Sequence, residues 1–186
     1  RNSDIDSALF FAYDALTLAI KLNYEMGKKK KKRGLCALHA SMGKFDEGIN
    51  YGNEALLIYN KLFLTANKPG KEKILAKIGS AYMVIGHNRI SQGNYPEGLR
   101  ISLLALKIKE ELGDIKGIGG MEYNIGNIYY NLQNYPEALK HHYVSLKISQ
   151  QMGNKGLLAD DYNCVGLIFF AQGNYPEASK NYTVAL

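Results

Sequence analysis

The chain has 186 residues, of which 46% are hydrophobic and 22% charged, an ordinary composition for a folded protein. No run approaches the roughly 18 consecutive apolar residues of a membrane-spanning helix, and no signal-peptide pattern opens the chain. The net charge of +6 is local. Lys28, Lys29, Lys30, Lys31, Lys32 and Arg33 supply six charges in one run, and the rest balances at 17 basic and 17 acidic residues, which argues against a broad electrostatic footprint for nucleic acid.

In chain order, the first expected element is a lone helix over residues 1–27, with small residues Ala8, Ala12 and Ala15 on one face. The chain opens at Arg1 already reading as helix, which predicts a piece of a longer protein. Such a helix would expose Phe10, Phe11 and Leu18, so self-association through an uncapped end is an alternative reading. A repeat unit over residues 28–64 follows. Its start coincides with the lysine run, which reads as a solvated, poorly ordered segment or as a nuclear-localisation or nucleic-acid patch. Its turn is expected at Gly43-Lys44-Phe45-Asp46-Glu47-Gly48, with Leu35 and Ala55 at the matching offsets. Thr65-Ala66-Asn67-Lys68-Pro69-Gly70 reads as a longer inter-repeat loop with extended flanking helices.

From there the sequence becomes periodic. Asn94-Tyr95-Pro96-Glu97-Gly98, Asn134-Tyr135-Pro136-Glu137-Ala138 and Asn174-Tyr175-Pro176-Glu177-Ala178 recur at a spacing of 40 residues, and a period of that length signals a solenoid. Units are expected over residues 71–112, 114–152 and 154–186, the last truncated. Small residues mark three places in each unit: Gly86, Gly98 and Ala105, then Gly126, Ala138 and Ser145, then Gly166, Ala178 and Ala185. Small side chains at fixed helical positions let two helices approach closely. Tyr129 and Phe169 follow Gly126 and Gly166 by three residues, whereas Arg89 follows Gly86.

Gly93-Asn94 and Gly173-Asn174 pair a helix-ending Gly with a helix-starting Asn, and Gly113-Asp114 and Gly153-Asn154 do the same between units. Pro96, Pro136 and Pro176 fall in the first turn, where a missing N–H is harmless. Glu97, Glu137 and Glu177 stand three residues after Asn, as in a capping box. Each unit is therefore an antiparallel helix pair, A then B. Leu99, Leu103 and Leu106, and likewise Leu139, Tyr143 and Leu146, follow a helical stripe on the B helices.

Helix pairs with this Gly–aromatic pattern in A and Ala positions in B resemble the tetratricopeptide repeat, over essentially the whole chain. The resemblance implies an all-α fold, an α-α superhelix or solenoid of antiparallel helix pairs. The 40-residue length and the Asn-Tyr-Pro-Glu-Ala turn resemble the long-repeat subclass of bacterial arrays in signalling proteins. There the array is a sensory or regulatory part, and the output domain (kinase, cyclase or transcription regulator) lies elsewhere. The compartment implied is the cytoplasm, or the periplasm for a bacterial sensor.

The resemblance also implies that A helices line a concave groove for a peptide or partner helix. Carried over by position, the candidates are Met83, His87, Ile90 and Ser91, then Tyr123, Asn127, Tyr130 and Asn131, then Asp160, Asn163, Leu167 and Phe170. Asn side chains suit a peptide backbone, and Tyr130 and Phe170 would be apolar anchors unless they pack between repeats. The row His87, Asn127, Leu167 carries no Lys or Arg, so the carboxylate clamp of chaperone-binding members is not expected.

No catalytic, metal or cofactor site is implied. Gly117-Ile118-Gly119-Gly120 lacks a third glycine at Glu122 and a preceding strand. His141 and His142 diverge on a helix, as do Asp160 and Asp161, and His39 and His87 lack ligands at zinc spacing. Cys36 and Cys164, 128 positions apart, are expected to be free thiols.

Overall fold

The structure, a computed structural model, describes residues 36–185. They form seven helices: α1 Cys36–Thr65, α2 Lys68–Ser91, α3 Tyr95–Glu111, α4 Ile115–Asn131, α5 Tyr135–Gln151, α6 Lys155–Ala171 and α7 Tyr175–Ala185. No strand occurs among the described residues. Helices α3 to α6 have 17 residues each and are joined by three-residue turns, which accounts for the 40-residue period. The expected lone helix at residues 1–27, the run at residues 28–33 and the side chains of Cys36 and His39 lie outside the described residues.

The turns follow from local chemistry. Asn134, Asp114, Asn154 and Asn67 accept hydrogen bonds from the N–H groups of Glu137, Gly117, Leu157 and Gly70, at 3.4, 2.9, 3.2 and 3.0 Å. Each satisfies one of the four donors a helix start leaves open. The glutamates do not complete a capping box. Glu97 turns forward to grip Arg100, and Glu137 and Glu177 turn to Lys140 and Lys180. The reciprocal position is already filled, because the Asn94 N–H reaches back to the Arg89 carbonyl at 2.9 Å in the Gly-ended turn.

Those turns need a left-handed residue. Gly93, Gly113, Gly153 and Gly173 supply it at φ between 63° and 78°. At the remaining turn Gln133 takes φ 59° instead. A side chain there strains the backbone, so Gln133→Gly is expected to stabilise the chain by about 1 kcal/mol. Urea denaturation followed by circular dichroism measures it, and an unchanged midpoint would contradict it.

Two expectations for the N-terminal region are corrected. No turn interrupts residues 43–48, where α1 runs through unbroken. Lys44 and Asp46 stand there in place of the Asn cap and the Pro, so no ring clashes with a preceding carbonyl to stop the helix. Nor is residues 65–70 a long loop. Only Ala66 and Asn67 separate α1 from α2. The flanking helices are extended as expected, α1 to 30 residues and α2 to 24. The Asn67 cap and Pro69 in the first turn start α2 at once.

The described residues divide into two compact units, one ending at Ile108 and the other beginning at Lys109. In the first, Ile49, Ile85 and Ile101 form a core cluster, with Leu56 and Tyr82 packed against it. Asn88 is fully buried and donates to the Val84 carbonyl at 2.8 Å. In the second, α4 packs on α5, α5 on α6 and α6 on α7. Ala138, Ile125, Val165 and Ile168 are wholly buried.

The helical stripe of the B helices is buried only in part, at Leu106 and Leu146. Leu103 and Tyr143 are 42% and 50% exposed. In α3 the buried residues are Gly98, Ile101, Ser102, Ala105, Leu106 and Ile108. In α5 they are Ala138, His142, Ser145, Leu146 and Ser149. Helix α3 is apolar on most sides, so periodicity alone does not select a face. The small residues do, because they admit the neighbouring helix.

Candidate functional site

Helices α4 and α6 carry most of the expected groove residues, and both lie in the second unit. Their capped N-termini begin at Asp114 and Asn154, 40 residues apart, so equivalent positions recur on the two helices. The two helices meet through Cys164. Its thiol lies 3.5 Å from Asn127 Oδ1 and 3.7 Å from Tyr123 Oη. Tyr123 and Asn127 are thus half-buried, and each has one polar atom directed at the neighbouring helix.

Burial, followed by the adjacent Cys164, pushes the Tyr123 phenol up to about 12. Burial raises the Cys164 thiol as well, so the sulfur remains protonated at neutral pH and is a poor nucleophile. Folding holds the Tyr123 proton more tightly than the unfolded chain, whose ordinary value is 10. Its contribution to stability is therefore complete below pH 10 and is lost as pH rises from 10 to 12. Denaturation midpoints are expected to fall across that window, and Tyr123→Phe is expected to flatten its share of the fall. An identical slope in the variant would contradict this.

The remaining candidates are more open. Asp160, Asn163, Leu167 and Phe170 are all exposed on α6, at spacings of three, four and three residues that keep them on one stripe. Leu167 is 44% and Phe170 56% exposed, and Phe170 meets the Tyr175 ring edge-on with centroids 5.4 Å apart. On α4, Tyr130 is half-buried beside Tyr135 at 6.0 Å. Asn131 is exposed and donates to the Asn127 carbonyl at 2.7 Å. The stripe therefore joins amides, one carboxylate and aromatic rings. Met83 and His87 occupy the equivalent positions on α2 in the first unit, where both are exposed, with Ile90 and Ser91 half-buried.

Beneath this stripe lies a polar cluster that sequence reasoning missed. Asp160 and Asp161 diverge as expected, but Asp161 points inward and is 0% exposed. It accepts from Ser145 Oγ at 2.7 Å and from Ser149 Oγ at 3.4 Å, and faces His142 Nδ1 at 3.4 Å. His142 is itself fully buried, edge-on to Tyr123 with centroids 5.6 Å apart. The signal was available: Asp161 stands where the two preceding units carry Met121 and Ala81. This cluster ties α5 to α6 under the exposed stripe and is closed to solvent, so it serves the scaffold. His141 is held separately, paired with Glu122 and stacked on Tyr129 at 5.3 Å. Gly117, Gly119 and Gly120 lie inside α4. Among the described residues no group of three His, Cys, Asp or Glu could hold a metal ion, and no helix is long and apolar enough to cross a membrane.

Residues 117–186 match the family model for the tetratricopeptide repeat. No curated protein matches the chain in sequence. Among solved structures, the apo form of RapI aligns with a TM-score of 0.71 at 19% identity, covering 97% of this chain and 42% of that one. A Rap protein complexed with Competence and Sporulation Factor aligns at 0.64 and 17%, covering 95% and 49%. The signal transduction ATPase PH0952 from Pyrococcus horikoshii, which has a tetratricopeptide repeat sensor, aligns at 0.56 and 21%, covering 79% and 27%. The chain thus spans less than half the length of each of these proteins. At these identities the likeness is one of fold, and the fold is all-α, of the α-α superhelix class.

Proposed function

We propose that this tetratricopeptide-repeat chain is a non-catalytic interaction module that holds an extended peptide or partner helix against the A-helix face of its second unit. The observation that carries the reading is the α6 stripe, where Asn163, Leu167 and Phe170 present an amide and two large apolar side chains to solvent. Exposed aromatic and aliphatic groups beside amides suit a peptide, whose backbone needs partners and whose side chains need anchors. Tyr123, Asn127, Tyr130, Asn131 and Asp160 complete the face, with Met83 and His87 offering the equivalent positions in the first unit. The Rap protein bound to Competence and Sporulation Factor lends support by fold.

A second reading concerns context. The fraction of each neighbour spanned, together with the 40-residue spacing and the Asn-Tyr-Pro-Glu-Ala turn, favours a sensory or regulatory region of a larger signalling protein, of the long-repeat bacterial kind. Its output would then come from residues outside this chain.

The test is a paired substitution. Asn163→Ala with Phe170→Ala is expected to weaken a ligand shown to bind the wild type by about a hundredfold, with the helical circular dichroism spectrum retained. Both side chains are exposed, so neither change empties the core. Wild-type affinity in the double variant would contradict the assignment. Asn127→Ala is less diagnostic, because it also removes the acceptor of the Cys164 thiol.

A further inference from the structure

The first unit contains a cleft that the groove reading does not use. It has a volume of about 180 Å³ and lies among α1, α2 and α3. Ile49, Leu56, Ile85 and Ile101 give it apolar walls, while Tyr82 and Arg89 supply polar ones. Tyr82, Ile85 and Arg89 project about 150° round α2 from Met83 and His87, at roughly 100° per residue. This is a different side of the helix from the proposed groove.

Comparison with the next unit shows why a cleft exists here. Forty residues on, Tyr82, Arg89 and Ile101 correspond to Glu122, Tyr129 and His141. There Tyr129 stacks on His141 with an interplanar angle of 13°, and His141 pairs with Glu122, so the space is filled. Arg89 replaces the aromatic ring. Its Nη1 donates to Gln92 Oε1 at 3.2 Å, and Gln92 in turn donates to Asp46 at 2.7 Å. Arg89 Nε is buried and has no hydrogen-bond partner among the described residues. Among the described residues Arg89 makes no direct ion pair; its charge reaches Glu97 only at longer range, and both Glu97 oxygens bond Arg100, each at 2.8 Å.

Two guanidinium groups and one carboxylate thus line the pocket together with Asn53, Tyr82 and the aliphatic side chains, leaving one positive charge in excess. A buried cationic donor without a partner is costly and favours an anion beside it. We propose that this cleft takes a single carboxylate carried on a short branched aliphatic group, with Arg89 as its anchor and Ile85, Ile101 and Leu56 around its apolar part. The volume suits such a group, since a cavity of about 150 Å³ accommodates benzene.

The test titrates the full chain with 4-methylpentanoate and with the neutral 4-methylpentanamide, following amide shifts by NMR. The acid is expected to bind at least about tenfold more tightly than the amide, with the largest shifts at Tyr82, Ile85 and Ile101. Arg89→Met should abolish that preference. Glu97→Gln, which removes the one negative charge, should tighten binding of the acid and guards against a folding defect in the arginine variant. A parallel titration with acetyl-glycyl-leucine, which bears a free terminal carboxylate, assigns the source. Tighter binding than the free acid indicates a chain terminus, and exclusion indicates a small molecule. Equal binding of acid and amide, the absence of shifts at the cleft with both, or weaker acid binding in Glu97→Gln would overturn the proposal.

Discussion

Asp161→Ala is expected to destabilise the second unit by about 3 kcal/mol. The carboxylate is fully buried, and three groups on α5 converge on it: Ser145 at 2.7 Å, with Ser149 and His142 at 3.4 Å. Removing it strands two hydroxyls and an imidazole in a place that water does not reach, and each unpaired buried group carries its full desolvation penalty. Among the described residues His142 Nε2 already has no partner, so the ring has no second acceptor to fall back on. Asp161→Asn retains one acceptor oxygen and should lose less. Urea denaturation of the two variants side by side measures the difference, and a loss below 1 kcal/mol for Asp161→Ala would show that the cluster relaxes.

Gly126→Val should cost a similar amount, about 3 kcal/mol, through overpacking. A Cβ at this position would lie 2.7 Å from His142 Nε2 and 2.8 Å from its Cδ2. The imidazole cannot swing aside, because Tyr123 meets it edge-on and Asp161 faces its other nitrogen. Helix propensity works in the opposite direction only weakly, since Val gains little over Gly in a helix. Combining Gly126→Val with His142→Ala separates the two causes. If the clash dominates, the double variant is more stable than the sum of the single effects predicts. Strict additivity would place the strain elsewhere.

Both predictions rest on residues that the repeat pattern treats unequally. Gly126 was legible in the sequence as one of three small positions recurring every 40 residues, and its role is the close helix approach that spacing implies. The caps were legible for the same reason: Asn94, Asp114, Asn134 and Asn154 act within a few residues of themselves. Asp161 was not, because a buried carboxylate depends on what a neighbouring helix offers, and Ser145, Ser149 and His142 are brought to it only by packing. Gln133 in the left-handed region was hidden because the surrounding turn sequence is otherwise regular. The unbroken α1 shows the opposite limit. The drifted turn at residues 43–48 kept its glycines and its spacing but lost the Asn and the Pro that physically end one helix and start the next.

The candidate face was legible in part. Position alone selected Asn163, Leu167 and Phe170, which are exposed, but also Tyr123 and Asn127, which are partly engaged by Cys164. A half-buried tyrosine and an exposed one look alike in a repeat. The difference arises from the thiol of a different helix.

The central claim, that a partner lies on the A-helix face of the second unit, is tested most directly by site-specific photocrosslinking. A photoreactive phenylalanine analogue is placed at Leu167 on α6 or, as a control, at Val144 on α5, both solvent-accessible at 44% and 39%. The account predicts a discrete adduct from position 167 that is lost in the Asn163→Ala, Phe170→Ala background, and none from position 144. An adduct from position 144 with none from 167 would contradict it.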